Sequence, residues 1–190
     1  MNGLVVHKTS YTTATNNTIY GNGEVPTIGS SETGYNQYNV DWKDALEVGR
    51  QDASGLVVHT SDYVKIHNNI VWPRETSDKA YTLYLKNGMT ADQLTGLEWK
   101  NNLAGPQGGT KSSNISSNNG FTVSNFTENT NPSFNDLNNN DFTLSSTSPA
   151  INQGLTDSDE NPKHDKNFNL ISTSGDQIDL GAYEYGSNNA

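Results

Sequence analysis

Residues Gly55 to Trp72 spell GLVVHTSDYVKIHNNIVW, and residues Gly3 to Tyr20 spell GLVVHKTSYTTATNNTIY. The two stretches align without a gap at an offset of 52 residues, with Gly, Leu, Val, Val, His, Tyr and both Asn in register. Self-similarity on this scale predicts stacked units, each burying an apolar face against the next. Leu56, Val57 and Val58 follow a glycine as a β-branched run, the pattern of a strand. Val64 and Ile66 alternate with Tyr63, Lys65 and His67, which is the period of a half-buried strand and not of a helix. Asn68-Asn69 then supplies a corner, since asparagine tolerates the left-handed backbone and hydrogen-bonds locally. Corners piled at the inter-strand spacing of about 4.8 Å bring amide above amide. Asn16-Asn17 and Asn68-Asn69 are therefore two rungs of one expected ladder.

Asn101-Asn102 is a third rung, preceded by Leu97 and Trp99 at the offsets of Val64 and Ile66, with its upstream strand over Ala80 to Lys86. A fourth candidate, Asn118-Asn119, is followed by Phe121 and Val123 but lacks apolar residues before the pair. Between the first two rungs the chain makes a long excursion over residues 21–54, in which Ala45 to Val48 has strand character. The expected architecture is all-β, with about three to four coils over residues 1–130. Residues 131–190 are expected to cap the last coil with Phe142, Leu144, Ile151, Leu180 and Tyr183.

Composition narrows the function classes. The 190 residues suit one domain with its own core. Asn, Ser, Thr and Gly make up 83 of them, which suits short strands and turns, while periodic Val, Leu, Ile and Tyr argue against disorder. Absence of cysteine removes disulfides, thiolate metal sites and thiol nucleophiles. A formal charge of −10, with Arg50 and Arg74 the only arginines, opposes nucleic acid and anionic membrane surfaces. No segment is long and apolar enough to span a bilayer. No basic, apolar leader precedes Gly3. A stack that opens inside a coil leaves a bare sheet edge, expected to be covered by amino-terminal coils of a longer chain or by a capping partner.

Long loops on a rigid stack are where such folds carry chemistry. The excursion holds Trp42, Lys43, Asp44, Arg50 and Asp52. Arg50 suits a bidentate clamp on a carboxylate, and Trp42 and Trp72 offer rings for stacking on a sugar, with Arg74 close behind Trp72. Asp41 and Asp44 flank Lys43 and favour its charged form, whereas a base needs the neutral amine. His7 and His59 fall at equivalent positions of the two copies. That suits metal binding or acid–base work, or simply a surface ladder. Asp157, Asp159 and Asn161 alternate oxygen ligands as calcium prefers. Pro162 and Phe168 stand where an EF-hand needs Gly and Glu, which leaves a calcium loop of another kind or an acidic surface turn.

The tail carries the most specific pattern. Asn131-Pro132-Ser133-Phe134 leads to Asp141-Phe142-Thr143-Leu144, then SPAINQG over Ser148 to Gly154, then DLGAYEY over Asp179 to Tyr185. This order resembles the carboxyl-terminal end of secreted bacterial right-handed parallel β-helix proteins of the pectate-lyase-like superfamily. The motifs span Asn131 to Tyr185, and the coils from Gly3 to Phe126 fit the same fold. The resemblance implies a right-handed parallel β-helix (a solenoid), an extracellular location, secreted or at the cell surface, and polysaccharide as the partner. Lyases of this group abstract a proton beside a uronate carboxylate with a Lys or Arg base, often with calcium as cofactor.

The expected function is then the carboxyl-terminal part of an extracellular polysaccharide-degrading protein, lyase-like and acting on an acidic polysaccharide. Lys43, Arg50 and His59 are its catalytic candidates. Trp42, Asp44, Asp52, Trp72 and Arg74 are candidates for substrate binding, and Asp157, Asp159 and Asn161 for calcium. No catalytic motif of the group maps onto this chain residue by residue. The alternative is therefore a non-catalytic carbohydrate-binding or cell-surface module.

Overall fold

Asparagine corners set the path of the chain. Asn16, Asn68, Asn101 and Asn125 have φ of 53°, 56°, 48° and 47°, the left-handed region that asparagine tolerates better than most L-residues. The computed structural model describes residues 4–6, 11–20, 46–48, 50–51, 58–59, 63–72, 83–85, 96–105, 122–125, 127–128, 130–156, 161–171 and 177–186. Within them the chain is all-β, apart from one 3-10 turn at Leu137–Asn139. Among the described residues no helix is long and apolar enough to cross a membrane.

The chain lays down three parallel sheets in successive passes. The first pass is β1 (Leu4–Val6), β2 (Thr13–Thr15) and β3 (Thr18–Tyr20). In the second, β4 (Leu46–Val48) is followed by a hairpin, β5 (Arg50–Gln51) and β6 (Val58–His59), and then by β7 (Lys65–His67) and β8 (Ile70–Trp72). The third is β9 (Leu83–Leu85), β10 (Glu98–Lys100) and β11 (Leu103–Ala104), and the fourth is β12 (Thr122–Ser124) and β13 (Thr127–Glu128). The sheet orders are β1-β4-β9, β12-β10-β7-β2 and β13-β11-β8-β3. Each corner asparagine joins a strand of the second sheet to one of the third.

Two features of the stack depart from the sequence reading. β1 pairs with Leu46–Val48, Leu4 opposite Leu46, and not with the second GLVVH copy. Val58 and His59 of that copy instead pair antiparallel with Gln51 and Arg50. Three-residue strands carry little pairing information, and Leu46-Glu47-Val48 presents the same apolar ends as Leu4-Val5-Val6. The fourth corner is Asn125, one register below Asn101, while Asn118-Asn119 lies outside the described residues. The third upstream strand does form, as β9 within the expected 80–86 stretch.

Inside the stack, Ala14, Ile66 and Trp99 lie in register, as do Ile19, Val71 and Ala104, and all six are buried. Burial of side chains such as Ile66 and Trp99 contributes roughly 1.5–3 kcal/mol each. Beside them runs the expected ladder. Asn17 donates its N–H and its side-chain amide to Asn69 Oδ1, both at 3.0 Å. Asn69 does the same to Asn102 Oδ1, both at 2.9 Å. The Asn69 amide also reaches the carbonyls of His67 and Ala14, so one buried carboxamide joins three passes.

The tail packs along the corners of the first three passes. It starts as an antiparallel pair, β14 (Phe134–Asp136) with β15 (Asp141–Leu144). Phe134 and Phe142 pack on Tyr20 of the first pass, with ring centroids 6.0 and 5.2 Å away. Leu144, Ala150 and Leu180 form one apolar cluster with Ile70, Trp72 and Leu103. This explains why Ile70-Val71-Trp72 is an uninterrupted apolar run: β8 is covered on both faces, by the interior and by the tail. The tail also meets the corners. Asn101 donates to Gln153 O, Asn68 to Leu155 O and Asn16 to Asp179 O, while Gly181 N–H donates to Asn68 O. One segment thereby supplies partners to corner groups of three passes.

Candidate functional site

The corner ahead of the second sheet is built differently from the asparagine corners. Tyr11, Tyr63 and Gly96 occupy it in successive passes, with φ of 57°, 53° and 69°. Tyr11 and Tyr63 stack at 4.8 Å between centroids with planes 2° apart, the spacing of neighbouring strands. The third position must be glycine, because a Cβ there would collide with the Tyr63 ring. Both rings face solvent, Tyr11 being 79% and Tyr63 45% exposed. A stacked aromatic pair contributes about 0.5–1.5 kcal/mol, whereas a non-glycine residue held in the left-handed region costs of order 1–3 kcal/mol. The stack therefore offsets only part of the backbone cost of the two tyrosines.

Next to this corner lies the outer face of the second sheet. Thr13, Lys65, Glu98 and Thr122 form one cross-strand row, and Thr15, His67, Lys100 and Ser124 the next. Glu98 links the rows, with its Oε2 2.7 Å from Lys100 Nζ and 3.1 Å from His67 Nε2. Partial burial pushes the Glu98 carboxyl up, but the hydrogen bond and charge of Lys100, and then those of His67, outweigh it and hold the group below the usual glutamate range. Glu98 is thus an ionised anchor shared by His67 and Lys100, and Lys65 and Lys100 give this face two lysines to its one carboxylate within an acidic chain. His67 itself is buried.

The β5–β6 hairpin leaves the stack after β4 and returns just before Tyr63, so it is inserted at the tyrosine corner. Its register sets Arg50 opposite His59, two of the three catalytic candidates. His59 stands in the hairpin, and the expected equivalence with His7 lies outside the described residues. Trp42, Lys43, Asp44, Asp52, Arg74, Asp157, Asp159 and His7 lie outside the described residues. Trp72 is 6% exposed, and its ring packs so tightly on Gly105 that a Cβ there would lie 2.5 Å from it. Its face is covered by protein.

Of the three residues expected to bind calcium, Asn161 alone is described; its Oδ1 accepts from Asn68 and its amide donates to Leu155 O. Among the described residues no group of three or more His, Asp or Glu side chains is placed to hold a metal ion. The tail does gather three carboxylates, Asp165, Asp179 and Glu184. Asp179 accepts from the N–H groups of Asn152 and Tyr185 and gives its own N–H to Glu184. Asp165 accepts from Asn169, Asn167 and the Glu184 N–H. These bonds close loops of the tail and aim the carboxylates inward.

Sequence reasoning passed over Tyr11, Tyr63, Lys65, His67, Glu98 and Lys100 as site residues. The tyrosines did carry a signal, recurring in register across the two copies. The Glu98 cluster carried none, because it assembles across passes of unequal length. Comparison with known proteins finds no matching family model, no matching curated protein and no matching solved structure.

Proposed function

We propose that the stacked passes wind as a right-handed parallel β-helix, and that the tyrosine corner with the adjoining face binds an acidic polysaccharide in an extracellular setting. The handedness follows the general rule for parallel crossovers. One observation carries the binding reading: an exposed, parallel tyrosine pair kept in an unfavourable backbone conformation. Flat aromatic faces suit the apolar faces of sugar rings. Lys65 and Lys100 on the neighbouring rows, and the hairpin that carries Arg50 and His59, supply positive charge for uronate or sulfate groups.

A polysaccharide lyase is the second reading, favoured by the His67–Glu98 pair, in which an ionised carboxylate orients an imidazole. His67 has little exposed surface from which to reach a substrate, so binding is the stronger of the two.

The test is titration calorimetry with polygalacturonate, alginate and a neutral glucan. Binding to an acidic polymer, weakened about tenfold or more by Tyr63→Ala with an unchanged circular dichroism spectrum, is expected. Failure to bind any acidic polymer, or binding indifferent to both Tyr63→Ala and Tyr11→Ala, would sink the reading. Appearance of ultraviolet absorbance from unsaturated uronate ends would move the assignment to lyase.

A further inference from the structure

A second group of exposed rings lies in the tail, away from the tyrosine corner. Residues 163–171 fold into a tight hairpin. Ile171 N–H donates to Lys163 O, Asp165 N–H to Asn169 O and Phe168 N–H to Asp165 O, with a bridge between His164 and Leu170. The Asp165 carboxylate locks the turn from inside, accepting from the N–H groups of Asn167 and Asn169 and from the Asn169 amide. Lys166 N–H donates to Ala182 O, and Ala182 N–H to Thr18 Oγ1, so the hairpin is tied to the first pass.

This turn holds Phe168 at φ 64° while leaving 85% of it exposed. A bulky residue in the left-handed region is strained, and an exposed ring gains little packing in return. Leu170 is 75% exposed on the same hairpin. Tyr185, 47% exposed, follows Glu184, whose N–H donates to Asp165. Of the five large apolar side chains exposed among the described residues, three therefore sit on or beside this hairpin, and the other two are Tyr11 and Tyr63. The charge is one-sided as well. Lys163, His164 and Lys166 are exposed, whereas Asp165 is buried. Among the described residues the ion pairs are those of Glu98 with His67 and Lys100, so neither hairpin lysine is paired to a carboxylate there.

We infer that the hairpin is a second binding site for acidic polysaccharide, with Phe168 and Tyr185 offering ring faces and Lys163 and Lys166 meeting the anionic groups. The choice of ligand rests on the polysaccharide reading of the tyrosine corner, whose pairing of exposed rings with lysines is repeated here. The site itself shares no residue with that corner. β2 runs from the Tyr11 corner to the Asn16 corner, and the tail meets the far end, at Asn16 and Thr18. A long polymer engages both sites and gains an avidity that a short oligomer lacks.

Calorimetry of the full chain with polygalacturonate and alginate, and with their trisaccharides, is the test. Phe168→Gly removes the ring and suits the backbone, since glycine adopts positive φ readily. It should leave the melting temperature unchanged or raised, which a purely structural role for the ring would not. Polymer binding about tenfold or more weaker, with Tyr63-dependent trisaccharide binding retained, is expected. Lys163→Glu gives the same direction and carries the test if the glycine variant does not fold. Polymer binding that Tyr63→Ala weakens but Phe168→Gly and Lys163→Glu leave unchanged overturns the second site alone. Absence of binding to either polymer by the wild type overturns both sites.

Discussion

Asn68 and Leu155 hold each other reciprocally: the Leu155 N–H donates to Asn68 Oδ1 at 2.7 Å, and the Asn68 amide donates back to Leu155 O at 3.2 Å. Residues 87 positions apart are joined as two strands would be, by one side chain imitating a peptide group. The same amide also reaches Asn161 Oδ1 at 3.0 Å, and Asn68 is fully buried.

Asn68→Ala therefore strands several buried polar groups and puts alanine at φ 56°. A loss of about 3–5 kcal/mol in urea unfolding is expected. Asn125→Ala is the contrast, since Asn125 is exposed and makes one long side-chain bond, to Asn101 at 3.3 Å. It too puts alanine at a left-handed φ, 47°, so it should cost about 1–2 kcal/mol, and equal losses at the two corners would contradict the role given to the tail.

Gly181 brings the tail into close approach with the sheet. Its φ is 89°, and a Cβ would lie 2.7 Å from Thr18 Oγ1 and 2.8 Å from Ile70 Cδ1. Gly181→Ala should destabilise the chain by about 2–4 kcal/mol and loosen the tail before the stack. Limited proteolysis should then cut within residues 131–186 first; unchanged cleavage kinetics would show that the close approach is not needed.

Stability should fall on the alkaline side because of Glu184. Burial pushes its pKa up to about 7, with the Asp179 charge adding to the effect and the Asp179 N–H opposing it. Asp179 is raised as well, by burial that outweighs the N–H bonds from Tyr185 and Asn152. A raised folded-state pKa gives stability that is complete below the unfolded value of 4.5 and is lost as pH climbs through about 7. The loss is of order 1–3 kcal/mol after allowing for solvent screening.

Asp165 acts with the opposite sign. Burial pushes it up, but hydrogen bonds from Asn169, Glu184 and Asn167 win, so its contribution is present above 3.8 and disappears at lower pH. Melting temperature should therefore pass through a maximum in mildly acidic buffer. Glu184→Gln should flatten the alkaline limb and exceed the wild type near pH 8. An alkaline limb that survives the substitution would remove Glu184 as its cause.

The residues legible from sequence alone are those whose role is local. Asparagine at a left-handed corner needs no distant partner to be favoured there, so the pairs at 16–17, 68–69 and 101–102 announced the corners. The alternation around Ile66 and Trp99 likewise announced which side chains face inward. Sites assembled across passes were not legible. Glu98, His67 and Lys100 meet through the register between β7 and β10, which are separated by a connection whose length follows no repeat.

The amino-acid sequence alone settled that short strands would stack in parallel behind asparagine corners, because corner conformation and apolar alternation are properties of a few adjacent residues. Tertiary structure alone decided which apolar triplet joins β1 and where the tail lies. Leu46–Val48 and the second Leu-Val-Val are nearly interchangeable as strands, and the choice between them rests on chain length around the hairpin and on the neighbours each would meet. The tail's place is set by partners on three passes, Asn16, Asn68 and Asn101, which lie far apart in sequence and meet one segment only in the folded chain.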